Sequence, residues 1–534
     1  MSRHKKITWV ILLGTAILFP ASGIADPTPR SAEAFDETAA PNEASNISIT
    51  AEKISNAVGQ MDGLAEHIIQ KTGIPGLAIS IVHNGKLVYA KGFGVRKLGE
   101  KAPVDADTVF QLASISKSLT ASVLATQVAE GKIRWDAPVV QYIPSFQLAD
   151  PWVTAHVTFA DLLSHQAGLP DHANDVLEDI GYGRQDFIHR LRYLPSGPFR
   201  VGSVYTNVGP TIAGEAAAHV AGTDWASLAQ DKIFGPLGAK TLSFRHSDFL
   251  AHENRAEGHI RVGSNFKPLY HRNADVQAPA GGASASARDF ARWMIMILQN
   301  GTYEGQQVVA SEALLPAITA QTVTHASDSP VGRPSLAGYG FNVGITPAGR
   351  TTLSHSGGFL LGTGTNYTLL PSANLGIAVF THATPTGAAE TLTAEFVDLV
   401  QFGRITRDWY AAYRGFFAHY SDPVGSLHDQ ERPATPAPAQ SLEDYAGHYS
   451  NEYAGDITIE KNNDGLLLKL GPEKREIALR HWSGDRFSFE FISENSLPGS
   501  VFAADFAKGQ GGTIDSVTLE LIQNQGPGVF NRVP

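Results

Sequence analysis

The stretch Leu112-Ala-Ser-Ile-Ser-Lys-Ser-Leu-Thr-Ala121 sets three serines around one lysine in an otherwise apolar run. Ser114 and Lys117 stand three apart. If Ser114 opens a helix, both side chains share one face, and the helix N-terminus puts free backbone N–H groups and partial positive charge beside the serine. A serine hydroxyl is a poor nucleophile until a base takes its proton. Lysine can take it only if burial or nearby positive charge lowers its pKa, and Ile115, Leu119 and Val123 offer that burial. Ser116 lies about 200° round the helix from Ser114, where it touches the network or simply packs. Ser118, one residue past the lysine, reads as structural. Ser-x-x-Lys recurs by chance, so its reading depends on partners elsewhere in the chain.

Two stretches downstream supply them. Phe199-Arg-Val-Gly-Ser-Val-Tyr-Thr-Asn-Val-Gly209 contains Tyr205-x-Asn207. A buried tyrosine beside a cation can be partly ionised and relay protons, and an asparagine amide can hold both a lysine and a substrate carbonyl. Thr351-Thr-Leu-Ser-His-Ser-Gly-Gly-Phe359 reads as a strand that presents His355 and ends in paired glycines, which lets substrate approach the backbone closely. Ser356, Gly357 and Gly358 are its candidate substrate-facing residues. A free N–H at Gly358 can complete an oxyanion hole with the N–H of Ser114.

The ordered set Ser114-x-x-Lys117, Tyr205-x-Asn207 and His355-x-Gly357 resembles the serine β-lactamase and penicillin-recognising superfamily. It is most similar to the class C-like branch that includes D-aminopeptidases, DD-carboxypeptidases and esterases. Leu162-Leu-Ser-His-Gln-Ala-Gly-Leu-Pro170 and Gly281-Gly-Ala-Ser-Ala-Ser-Ala-Arg-Asp289 agree with it, and the likeness spans about 51–405. It implies an α+β fold: a mixed, mainly antiparallel sheet flanked by helices, a helical subdomain, and an active site between them. It also implies acyl-enzyme hydrolysis of amide bonds. Ser114 attacks, Lys117 and Tyr205 handle the proton with the base left open between them, and Asn207 orients the substrate. The N–H groups of Ser114 and Gly358 hold the oxyanion, and His355 closes the proton network or meets the substrate's polar end. One departure matters. Most β-lactamases and penicillin-binding enzymes carry Lys-Thr-Gly where this chain has His355-Ser-Gly. Histidine is mostly neutral near pH 7, which argues against efficient penicillin hydrolysis, and the His form resembles peptidase and esterase members of the branch. The resemblance implies a peptidase on small or linear peptides, linearised cyclic peptides such as microcystin among them. An esterase, a β-lactamase and a penicillin-binding cell-wall sensor are the alternatives.

The rest of the chain frames this site. With 534 residues, 43% hydrophobic, it is long enough for two or more domains with sizeable cores. The net charge of −11 is spread without a basic block, which argues against a nucleic-acid partner. There is no cysteine, so disulfides and thiolate chemistry are excluded. No His-Glu-x-x-His and no Gly-x-Ser-x-Gly occurs, so neither a metal site nor an α/β-hydrolase elbow is expected, and no cofactor is implied. Arg3, Lys5 and Lys6 precede the apolar run Ile7–Phe19 and a small-residue exit at Ala25. That is the pattern of a cleaved signal peptide over 1–25, placing the mature protein in the periplasm or outside the cell with no stable membrane insertion.

Residues 26–50 read as a flexible leader and 51–405 as the catalytic domain. Within it, Ile54–Lys71 has helical spacing, and Leu77–His83 and Lys86–Gly92 form a hairpin about Asn84-Gly85. Helical segments follow over 114–300, then strands at Thr351–His355, Gly364–Leu370 and Leu375–Thr381. Residues 406–440, rich in proline and small residues, read as a linker. Residues 441–534 read as short strands: Asp456–Glu460, Gly465–Leu470, Glu476–Leu479, Arg486–Phe491 and Ser516–Ile522. Leu442-Glu-Asp-Tyr-Ala-Gly-His-Tyr449 and His481-Trp-Ser-Gly-Asp-Arg-Phe487 are similar to the lipocalin-like domain appended to many of these hydrolases, implying a small antiparallel β-barrel. A homo-oligomer is left open.

Overall fold

The apolar positions Ile54, Met61 and Ile68 recur at helical spacing and are buried on one face of α1 (Ala51–Thr72). Thr50 caps its start by accepting from the Lys53 N–H, and Gly73, at φ +73°, ends it with an N–H bond back to Ile69. Next come β1 (Gly76–His83) and β2 (Lys86–Gly94). Their turn has positive φ at both Asn84 and Gly85, the geometry whose twist matches that of the paired strands. This computed structural model describes residues 45, 47–462 and 465–533. The signal sequence read over 1–25 and most of the leader therefore lie outside the described residues.

The main sheet is completed by β3 (Thr322–His325), β4 (Ser335–Ala337), β5 (Asn342–Ile345), β6 (Thr351–Phe359), β7 (Thr363–Leu370) and β8 (Leu375–Thr381). Its order is β2-β1-β8-β7-β6-β5-β4-β3 and every pairing is antiparallel. All seven residues of β8 are buried, because both faces of the sheet are covered. Ile377 and Val379 pack on α1 and on α5 (Ala388–Phe402), while Ala378 and Phe380 join the second core on the opposite face. That core holds α2 (Ser116–Ala129), α3 (Val208–Ala221) and α4 (Ala287–Leu298). In α2 every residue from Ser116 to Gln127 is buried, so it runs through the interior between sheet and helical region.

Within 406–440, Trp409–Phe417 forms a helix, α6, capped by Asp408 accepting from Ala411 N–H. It packs against the start of α5 at Gly387, where φ is +81° and a Cβ would stand 2.7 Å from that of Tyr413. Only glycine fits there.

The C-terminal region is a closed antiparallel barrel of eight strands. They are β9 (Gly447–Ser450), β10 (Ile457–Asn462), β11 (Gly465–Leu470), β12 (Arg475–Ser483), β13 (Arg486–Glu490), β14 (Val501–Lys508), β15 (Ile514–Leu519) and β16 (Val529–Val533). Sequence alternation alone shows five of them. The expected run Ser516–Ile522 divides, its last residues entering a helical turn, Glu520–Gln523. Leu466, Leu468 and Leu470 alternate inward along β11. The barrel is docked on the helical region. Arg190 donates to the carbonyls of Glu452 and Tyr453, Tyr182 to Ala454, and Ser493 and Asn495 to the Asp179 carboxylate.

Candidate active site

Ser114 sits in a single 3₁₀ turn, Ala113–Ile115, that leads into α2. Ala113 holds φ +48°, a left-handed backbone that costs a non-glycine residue about 1–2 kcal/mol. This bend places Ser114 at the head of α2. Lys117, one turn on, is fully buried. Its Nζ donates to Ser114 Oγ (3.0 Å), Asn207 Oδ1 (2.8 Å) and the Ala280 carbonyl (3.0 Å). Tyr205 OH lies 2.8 Å from Ser114 Oγ, and Lys117 Nζ stands 4.7 Å from the Tyr205 ring centre. The other two serines have structural partners: Ser116 Oγ accepts from Ala283 N–H, and Ser118 donates to the Gly340 carbonyl while accepting from Tyr367.

Charge in this cluster is set mainly by burial. Burial lowers Lys117 to about 7, against the opposing pull of the Asp175 charge, so a neutral amine is accessible near neutral pH. Burial pushes the Tyr205 phenol well above its ordinary value. The sequence expectation of a partly ionised tyrosine is therefore corrected: removal from water outweighs the hydrogen bond with Ser114, and Tyr205 is a neutral O–H. Burial and the nearby Lys117 hold His355 down at about 4. Its Nδ1 donates to the Ser356 carbonyl at 2.6 Å, leaving Nε2 as an acceptor. This strand thus presents a neutral imidazole, not a cation.

Strand β6 runs on past His355 to Phe359. Its pairing with β5 covers only Thr351–Ser354, so from His355 onward the edge away from β7 has no strand partner. That edge meets the nucleophile turn. A Cβ on Gly357 would stand 2.1 Å from the Leu112 carbonyl oxygen and 3.1 Å from Ser114 N, so only glycine allows the contact. Gly358 is exposed at the cleft. Backbone donors at a helix head and on an open strand edge are the parts of an oxyanion hole.

Several residues of the site carry no motif. Asp175, 3% exposed, accepts from Asn207 Nδ2 (2.9 Å), His172 Nδ1 (2.7 Å) and Gln277 Nε2 (3.1 Å). It thereby fixes the Asn207 amide with its oxygen toward Lys117. Burial pulls His172 down, but hydrogen bonding and pairing with Asp175 win and its pKa is raised. His172 and Asp175 stand three apart, a spacing that could have flagged the pair. His165 accepts from the Thr206 N–H (3.3 Å) and lies against the Tyr205 ring. The cleft, about 910 Å³, extends from Ser114 to α6 and to Glu494 and Asn495 of the barrel. Glu494 accepts from the Leu360 N–H (2.7 Å), beside Arg272, which also pairs with Glu178 (2.6 Å). Among the described residues no group of three or more histidine, aspartate or glutamate side chains is arranged to hold a metal ion.

Residues 61–402 match the Beta-lactamase family. The chain belongs to that family. It is a serine hydrolase of the β-lactamase and penicillin-binding superfamily, and residues 431–526 match a domain of unknown function, DUF3471. Among relatives of this β-lactamase-family chain is unguisins hydrolase ungD' of Aspergillus campestris. It is 28% identical over 430 residues, covering 76% of this chain and 78% of the relative. D-alanyl-D-alanine-carboxypeptidase/endopeptidase AmpH of Escherichia coli is 21% identical over 350 residues, 64% of this chain and 88% of the relative. The octameric penicillin-binding protein homologue from Pyrococcus abyssi has the same fold, with TM-score 0.55, 20% identity, and coverage of 89% of this chain and 99% of that one. Among the described residues no helix is long and apolar enough to cross a membrane.

Proposed function

We propose that this hydrolase is a secreted or periplasmic peptidase that cleaves small or linear peptides through an acyl-enzyme on Ser114. The observation that carries the reading is a buried lysine of pKa about 7 whose Nζ lies 3.0 Å from a serine hydroxyl that also meets a neutral tyrosine. Neutral Lys117 takes the Ser114 proton as Oγ attacks the substrate carbonyl. The N–H groups of Ser114 and Gly358 hold the oxyanion, each such donor being worth about 10²–10³ in rate. Tyr205 passes its proton to the departing amine and regains one from Lys117. Water then opens the ester by the same steps in reverse. Asn207, fixed by Asp175, orients the substrate amide, and Ser356 and Gly357 line the strand along which the peptide lies.

Two features support amide substrates. AmpH, a relative, is named for carboxypeptidase and endopeptidase activity. The neutral His355 offers no cation to the carboxylate of a penicillin. The cleft of about 910 Å³ has room for several residues of peptide, linearised cyclic peptides such as microcystin among them. Secretion rests on the basic-then-apolar N-terminus Arg3–Ala25, and the barrel is read as lipocalin-like from its closed eight-stranded form. The test is a mass-spectrometric screen of peptides, esters and β-lactams against wild type and Ser114→Ala. Ser114-dependent cleavage of peptides above the other classes is expected. Faster turnover of esters or β-lactams, or a stable penicillin adduct with no turnover, overturns the peptidase reading.

A further inference from the structure

Glu390 lies in the first turn of α5, is 8% exposed, and forms part of the wall of the cleft that holds Ser114. Its polar neighbours are its own backbone N–H and the Ser356 hydroxyl. Among the described residues no lysine, arginine or histidine pairs with it. The other buried carboxylates of the cleft each have side-chain donors or a cation: Asp175 has three donors, and Glu178 and Glu494 share Arg272. A buried carboxylate without a cation is strongly disfavoured as the anion, and burial accordingly raises Glu390 to about 7.

The surroundings suit one kind of visitor. Helix α6, held close to α5 at Gly387, brings Trp409, Tyr413 and Phe417 to the same cleft, and the turn after it brings Tyr420. Tyr413 and Tyr420 have phenols raised first by burial and then by the Glu390 charge, so both rings stand within its field. A carboxylate flanked by aromatic rings attracts a cation by charge and by ring quadrupole together. The Ser114 side of the cleft presents the neutral His355, and the cleft's Arg272 and His172 are already paired, with Glu178 and Glu494 and with Asp175.

We propose that Glu390 and the aromatic helix beside it form a specificity subsite for a substrate ammonium group. An entering ammonium supplies the missing counter-charge. A peptide amino terminus and a lysine side chain share this chemistry, whereas a carboxylate is repelled. The subsite rests on the peptidase reading for its use in catalysis, not for its binding.

Calorimetric titration of the full chain with phenylalaninamide, N-acetyl-lysinamide and 3-phenylpropionate tests it. At least one ammonium ligand should bind about tenfold or more tighter than phenylpropionate, as expected for a partly desolvated pair with cation–π support. Phenylalaninamide leading identifies an amino terminus, and acetyl-lysinamide a basic side chain. Glu390→Gln should erase the preference, Glu390→Asp keep part of it, and Tyr413→Ala, which leaves the carboxylate in place, weaken the ammonium ligands selectively. Phenylpropionate binding as tightly as both amines, or a preference that survives Glu390→Gln, overturns the proposal. Fluorophosphonate labelling of the same samples reports separately on Ser114: absent labelling with intact ammonium binding refutes the catalytic reading and leaves the subsite standing.

Discussion

Replacing Asp175 by Asn tests how the site sets its base. Lys117 reaches Asp175 through the Asn207 amide, which accepts from Nζ at 2.8 Å and donates to the carboxylate at 2.9 Å. Such a bridge sets the two charges about 7 Å apart. At an effective dielectric of about 20 they interact by about 2.4 kcal/mol, roughly 1.7 pKa units. The sign follows from the lysine. Activity rises with pH as neutral Lys117 appears, with a midpoint near its pKa of about 7. The Asp175 charge favours the ammonium, so its removal lowers the lysine pKa and moves the rising limb to lower pH by about one to two units. Asn keeps an oxygen to accept from the Asn207 amide, so the geometry is retained. The assay is kcat/KM for a p-nitrophenyl ester from about pH 5 to pH 9. His172 is a second titrating group of the site, its pKa raised by the same carboxylate, so His172→Gln serves as control and should leave the limb near 7. A limb that stays in place in Asp175→Asn, or that disappears in His172→Gln, refutes Lys117 as the titrating base.

Two more perturbations follow from close contacts. Gly357→Ala forces a Cβ against the Leu112 carbonyl, 2.1 Å away, and against Thr365 Oγ1, 2.5 Å away. Strand and nucleophile turn must part, and kcat should fall about 10²–10³-fold as an oxyanion donor is misplaced; steady-state rates near wild type would contradict that contact. Arg272→Met leaves Glu178 and Glu494 buried without their cation. Loss of one partner of a buried pair costs about 3–5 kcal/mol, which urea denaturation should show; an unchanged midpoint means that the arginine does not tie barrel to cleft.

The sequence revealed the parts whose physics is local. Asn84-Gly85 announces its hairpin because few dipeptides accept two positive φ values. Ser114 and Lys117 are legible because three residues is one helical turn. Tyr205 and His355 were found by their short motifs, though not the state of Tyr205, since its burial is made by distant chain. What stayed hidden is nonlocal. Glu178 meets Arg272 across 94 residues, and Glu494 meets Leu360 across 134; no spacing encodes either contact. Helix α6 was masked by the Pro-rich composition that follows it, although Asp408 ahead of Trp409–Phe417 is a capping signal. Val501–Lys508 escaped because alanines at 503, 504 and 507 weaken its alternation, and barrel closure supplies the pairing that fixes it.

The central claim is that Ser114, activated by Lys117, is the residue acylated. Intact-protein mass spectrometry with peptide mapping after fluorophosphonate treatment addresses it directly. The account predicts one adduct per chain, on Ser114, absent in Ser114→Ala and formed at least about a hundredfold more slowly in Lys117→Met. An adduct on another residue, or labelling that persists in Ser114→Ala, would contradict it.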